Sequence, residues 1–204
     1  MTAAAANAST VWMVSVDTTS INTTSGSLDF NFNAGGTLAQ YALIDITAFS
    51  NFGTLTGSPS TLGDVTGVLP SVVTAGNGGA FNDYFQTFTF GTSLSFNVVF
   101  YGPAIDTPDG VSTSGSTFAF SMYSDAAGTV PVLTSDLING FAVLIDVNLD
   151  GTTTVTNNSS QTNVASAVPE PTTWALLAAG LAFFAARASA RRRSDLGVSE
   201  VRSA

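Results

Sequence analysis

From position 11 to position 157 apolar and polar residues alternate with a period of two, which is the mark of strands with one buried and one wet face. "VWMVSVD" places Trp12, Val14 and Val16 on one face. "SLDFNFN" turns Leu28, Phe30 and Phe32 inward and Asp29, Asn31 and Asn33 outward. "TSLSFNVVF" repeats the pattern with Leu94, Phe96, Val98 and Phe100, and "STFAFSMY" with Phe118, Phe120 and Met122. "FAVLIDV" does so with Phe141, Val143, Ile145 and Val147, while "YALIDITAF" and "YFQTFTF" are strands with less even faces. Turn signals separate these runs: "TTSGS", "NAGG", "GSPSTLGD", "AGNGG", "YGPAIDTPDG", "DAAG" and "LDG". The pattern predicts an all-β fold over residues 11–157, an antiparallel, jelly-roll-like β-sandwich of about eight to ten strands. A barrel is the other way to close such strands.

The flanks follow different rules. Residues 1–10, with "AAAANAS", read as a tail or as the remnant of a small-residue cleavage region, and an exported chain would carry a basic, apolar leader before it. From Thr152 the chain turns polar. Its first part finishes a last strand, and residues 158–168 read as a solvated linker. Then "WALLAAGLAFFAA" runs from Trp174 to Ala186 without a strongly polar side chain. Extended from Thr172 to Ala190 it makes a helix of about 28 Å, close to the hydrocarbon thickness of a bilayer. The pattern predicts a single C-terminal transmembrane helix whose apolar residues include Leu176, Leu177, Leu181, Phe183 and Phe184. A buried core helix is the alternative, but it gives no reason for the prolines before it or the arginines behind it.

Charge sharpens the reading. The chain has no lysine, and its five arginines, Arg187, Arg191, Arg192, Arg193 and Arg202, all lie near the C-terminus. Arg187 and the Arg191–Arg193 cluster fix orientation by the positive-inside rule, leaving residues 194–204 as a cytoplasmic tail and the β-body outside. Residues 1–186 carry carboxylates and no side-chain cation, so phosphate has nothing to bind and nucleic acid is excluded as a partner.

Cysteine and histidine are absent, which removes thiol nucleophiles and the commonest general base. "GTSLSF" around Ser93 resembles a nucleophile elbow only superficially. The Asp residues scatter through turns and outward strand positions, where Asp ordinarily caps its own turn. A glycosidase-type carboxylate pair stays open on composition alone. The expectation is no catalysis, no cofactor and no metal.

One stretch argues otherwise. Asp146, Asn148 and Asp150, followed by Gly151, match the opening of a calcium loop. Asn157 stands where the closing carboxylate belongs, and the preceding run is strand-like, so a hairpin at Asp150-Gly151 is the preferred reading. N-x-S/T sequons occur at Asn7, Asn22, Asn157 and Asn158.

The order of linker, Val168-Pro169-Glu170-Pro171, apolar helix and arginine cluster resembles the PEP-CTERM sorting signal of exported bacterial proteins. The resemblance covers roughly the last 30 residues. It departs at the end, where "SDLGVSEVRSA" continues past Arg193. It implies an inner-membrane precursor cut near Pro-Glu-Pro by an exosortase, a membrane-embedded protease, and then placed at the cell surface or released. Two prolines keep that site extended. The resemblance further suggests a structural or adhesive matrix role, with membrane lipid, the exosortase and exopolysaccharide as partners. A carbohydrate-binding or carbohydrate-active sandwich is the alternative, and a permanent, uncut anchor is a third reading.

Overall fold

The computed structural model describes residues 10–167. Its strands are β1 (Thr10–Asp17), β2 (Ser25–Ala34), β3 (Leu43–Asn51), β4 (Thr54–Leu55), β5 (Ser60–Leu62), β6 (Val65–Gly67) and β7 (Val73–Gly76). They are followed by β8 (Asp83–Thr89), β9 (Ser93–Tyr101), β10 (Ser116–Tyr123), β11 (Phe141–Val147), β12 (Thr153–Asn157) and β13 (Thr162–Ser166). One helical turn, α1 (Pro103–Asp106), follows β9. Among the described residues no helix is long and apolar enough to cross a membrane; the segment expected to do so lies outside them.

Two antiparallel sheets form. The first orders its strands β13-β1-β9-β3-β7-β6, and the second β12-β11-β10-β2-β8-β4, with β5 also pairing β8. Most consecutive strands cross from one sheet to the other. The extra strands beyond the expected number are β4, β5 and β6, short pairings built from the turn-rich stretch 54–67, where no run is long enough to show alternation.

The inward residues of the two sheets meet as a phenylalanine core. Phe30 of β2 lies edge-on to Phe96 of β9, with ring centres 5.1 Å apart, and Phe96 lies edge-on to Phe120 of β10 at 4.9 Å. Phe32 and Phe100 make a further edge-to-face pair at 6.2 Å. Each ring presents its positive edge to another ring's negative face, which adds to the burial of apolar area. Period two alone placed these residues correctly.

Three expectations change. Trp12 is only half-buried: it sits at the margin of the core and donates its indole N–H to Thr153 Oγ1 at 3.0 Å, linking β1 to the edge of the opposite sheet. Phe141 faces out of the core because β10 and β11 slip in register between Phe120 and Ser121, so that Ala142 takes a buried position instead. The uneven face of β3 has the same cause. A bulge between Thr47 and Ser50 holds Ala48 at φ 52° and lets Phe49 turn inward. The uneven face of β8 comes from chemistry, since Gln86 takes an inward position and donates to the Thr56 carbonyl at 2.7 Å.

The third change concerns the boundary at 157. The stretch 158–168, expected as a solvated linker, contains β13, which pairs with β1 from Trp12–Ser166 to Val16–Thr162. Its polarity hid it: Val164 is its one large apolar residue, and an edge strand needs only one covered face. The last backbone bond of the body runs from the Ala167 N–H to the Val11 carbonyl at 2.9 Å.

Candidate functional site

The Asp150-Gly151 stretch is a hairpin between β11 and β12. Gly151 adopts φ 81°, the Asn148 N–H donates to the Thr152 carbonyl, and Asp150 accepts from the Thr152 N–H at 3.0 Å and its hydroxyl at 2.6 Å. Asp146 lies on β11 and accepts from Thr117 Oγ1 at 2.6 Å. Asn148 donates to Thr152 and Thr154. The three calcium-loop candidates therefore serve separate hydrogen bonds, and Asn157 donates to the Thr162 carbonyl at 2.7 Å. Asn158 similarly uses its amide on the Phe141 carbonyl. Asn22 and Asn157 are the exposed sequon asparagines among the described residues, and Asn7 lies outside them.

The other aspartates sort by partner. Asp17, Asp109, Asp125, Asp136 and Asp150 cap turns. The Thr19 hydroxyl and N–H hold the Asp17 carboxyl below its ordinary value, as the Ser112 and Val111 N–H groups do for Asp109 and the Asn139 N–H does for Asp136. The Thr152 hydroxyl and N–H do the same for Asp150. At Asp125 desolvation works upward, and the N–H groups of Thr129, Val130 and Ala127 together outweigh it. Groups lowered in the folded state contribute stability that is present above the ordinary Asp range and lost as pH falls through the folded values. Circular dichroism on acidification below pH ~4 should therefore show these turns weakening. A body indifferent to acid in that window would contradict the turn assignments.

Elsewhere Asp45 accepts from Thr74 and Tyr101, Asp64 from Tyr41, and Asp106 from the Gly102 N–H. Burial is the main cause that pushes the Tyr101 hydroxyl up to about 12, with the Asp45 charge next.

Asp29 and Asp83 behave differently. They lie on the outward face of the second sheet, on neighbouring strands β2 and β8. There Asn31 faces Asp83 and Asp29 is its diagonal neighbour. Burial, then hydrogen bonding with Asp83 and the Asp83 charge, push the Asp29 carboxyl up to about 8, against a bond from Asn31 Nδ2. The hairpin after β10 folds over this face: the Ser27 hydroxyl donates to the Asp125 carbonyl, and Gly128 lies against the Phe85 ring. This pair is what sequence reasoning missed. Asp29 was legible as outward, but its meeting with Asp83 depends on strand register across 54 positions.

A second feature is polar and, apart from Asp17 on its lining, uncharged. On the outward face of the first sheet, Asn163, Ser15, Ser95 and Ser50 align across β13, β1, β9 and β3. A shallow groove of about 460 Å³ runs there, lined by Ser15, Thr92, Ser93, Ser95, Gln161 and Asn163 among others. Ser93, considered above as an elbow, is part of this hydroxyl row and lies at the start of a strand, not at a strand-to-helix turn.

The processing residues Val168, Pro169, Glu170 and Pro171, the apolar segment from Thr172 and Trp174 onward, and Arg187 with Arg191–Arg193 lie outside the described residues. Comparison with known proteins speaks to them directly. Among curated proteins and solved structures none matches the chain. A family model for the PEP-CTERM protein-sorting motif matches residues 167–193, and therefore begins where β13 hands over to the remainder of the chain. The motif indicates an exported protein sorted through an exosortase, and this chain carries that sorting motif over residues 167–193.

Proposed function

We propose that the chain is a non-catalytic cell-surface or matrix protein, held in the inner membrane by residues 172–190 with its β-body outside the cytoplasm. It is then cut near Pro169-Glu170-Pro171 and transferred or released. The sorting motif carries this reading. The physical logic is a stop-transfer device: an apolar segment long enough to span, followed by guanidinium groups whose transfer across the bilayer is costly. Lipid and an exosortase are its partners.

The test is fractionation with mass spectrometry of the mature C-terminus. The wild-type chain should end near residue 171, and replacing Pro169, Glu170 and Pro171 with alanine should leave full-length protein in the membrane. A mature form that retains Trp174 through Arg193 would establish the permanent anchor instead. Neutralising Arg191–Arg193 should expose the tail to external protease in a fraction of molecules, and unchanged accessibility would remove the orientation role.

A structural or adhesive role suits a body with no side-chain cation and a neutral hydroxyl and amide face. A second reading, carbohydrate binding, is favoured by the groove over Ser15, Ser95 and Asn163, because neutral polar rows match the hydroxyls of exopolysaccharide. Retention of the protein on immobilised exopolysaccharide, lost when Ser15 and Ser95 become leucine, would support binding. Equal retention of the variant would favour the plain scaffold.

A further inference from the structure

Every described aspartate except Asp83 accepts a hydrogen bond from a protein donor. Asp83 receives no N–H or hydroxyl among the described residues and meets only the Asp29 carboxyl, although its Oδ1 is buried. Across the sheet on β10, Ser121 faces Asp29 in register and is fully buried, and its hydroxyl oxygen also lacks a partner. The Tyr123 hydroxyl lies near it on the same face without satisfying it. Buried polar atoms are ordinarily paired, since an orphan retains its whole desolvation penalty.

Two orphans flanking two adjacent carboxylates need something that the protein does not supply. Residues 10–167 contain no Lys, Arg or His, so no described side chain supplies a compensating positive charge. A proton shared between the carboxyls would satisfy Asp83 Oδ1 alone. A hydrated cation answers for both atoms, because a water in its shell can donate to Ser121. Asn31 donates an amide N–H to Asp29 and stands opposite Asp83 in the ladder, so its side-chain oxygen belongs to a residue that borders both carboxyls.

We propose that Asp29 and Asp83 hold a hard divalent cation of the calcium class, with Asn31 supplying a neutral oxygen and Ser121 receiving a coordinated water. Carboxylate and carbonyl oxygens suit such an ion, which takes 6–8 of them and completes its shell with water. No third carboxylate, His or Cys joins the pair among the described residues. The affinity therefore belongs with extracellular modules, at a dissociation constant of about 10⁻⁴–10⁻³ M. That range suits an exported protein and would leave the site empty in cytosol. The site differs from the Asp146–Asp150 hairpin, whose Asp146, Asn148 and Asp150 side chains are engaged with Thr117, Thr152 and Thr154.

The experiment is thermal unfolding of the full-length chain under calcium chloride titration, against potassium chloride at matched ionic strength. The midpoint should rise by about 3–5 °C at ten times the dissociation constant and continue upward with the logarithm of calcium concentration. Asp29→Asn and Asp83→Asn should abolish the rise, and Asp146→Asn should keep it. Terbium excited through tyrosine gives a readout independent of stability, because Tyr123 lies on the same face; its luminescence should be displaced by calcium and be weaker in Asp83→Asn. If one asparagine variant fails to fold, the other carries the comparison. A melt unmoved by calcium overturns the site. So does an equal rise in Asp83→Asn, which would mean diffuse screening by the remaining carboxylates.

Discussion

Replacing Phe96 with alanine is expected to lower stability by about 3–5 kcal/mol. The ring is fully buried at the centre of the sandwich, edge-on to Phe30 and Phe120 and close to Phe118. These neighbours belong to strands of the opposite sheet, and hydrogen-bonded ladders prevent them from collapsing into the void. The loss is then transfer free energy plus an unrelaxed cavity. Urea unfolding should show an earlier midpoint with an unchanged slope. Phe52 is the control: it is 79% exposed, so Phe52→Ala should stay within about 0.5 kcal/mol. Similar losses at the two positions would mean that the core is not where the Phe-x-Phe strands place it.

The second large effect is expected at Asn82, which is completely buried in the loop before β8. Its Nδ2 donates to the carbonyls of Phe32 at 2.9 Å and Gly79 at 3.2 Å, and its Oδ1 accepts from the N–H groups of Asp64 at 2.9 Å and Gly79 at 3.1 Å. One amide thus ties together β2, the turn before β6 and its own loop. Alanine strands these backbone groups, and the loss should be about 2–4 kcal/mol. Asn82→Asp is the sharper variant. It keeps the shape but aims a carboxylate at two carbonyl oxygens, so it should be destabilised in a similar range at neutral pH. If Asn82→Asp unfolds like wild type, the amide is not the fastener described here.

What the chain disclosed in advance follows from how local each signal is. Phe30-x-Phe32 and Phe118-x-Phe120 declare their faces within three residues, so the core was readable. The sorting signal was readable because its parts are contiguous and need no fold. Asn82 stood in a Gly/Asn-rich stretch that reads as an ordinary turn, and nothing in the stretch says that the side chain is buried. The bulges at Ala48 and Ala142 were invisible because a register slip leaves composition unchanged. β13 was missed because an edge strand with one covered face needs little apolar character. The Asp29–Asp83 pair required knowing which strands are neighbours, and that is a property of the whole sheet.

The pairing of β13 with β1 sets an order of events during export. Synthesis and secretion deliver β1 first, yet its outer backbone groups wait through nearly the whole body for Thr162–Ser166 to arrive. Until then an unsatisfied strand margin is open to neighbouring chains. The residues that seal it stand immediately ahead of Pro169-Glu170-Pro171, so completion of the body and emergence of the sorting motif nearly coincide. Premature termination anywhere before residue 162 would leave a sticky, half-zipped product with no address. The chain acquires its destination at the moment it ceases to be hazardous.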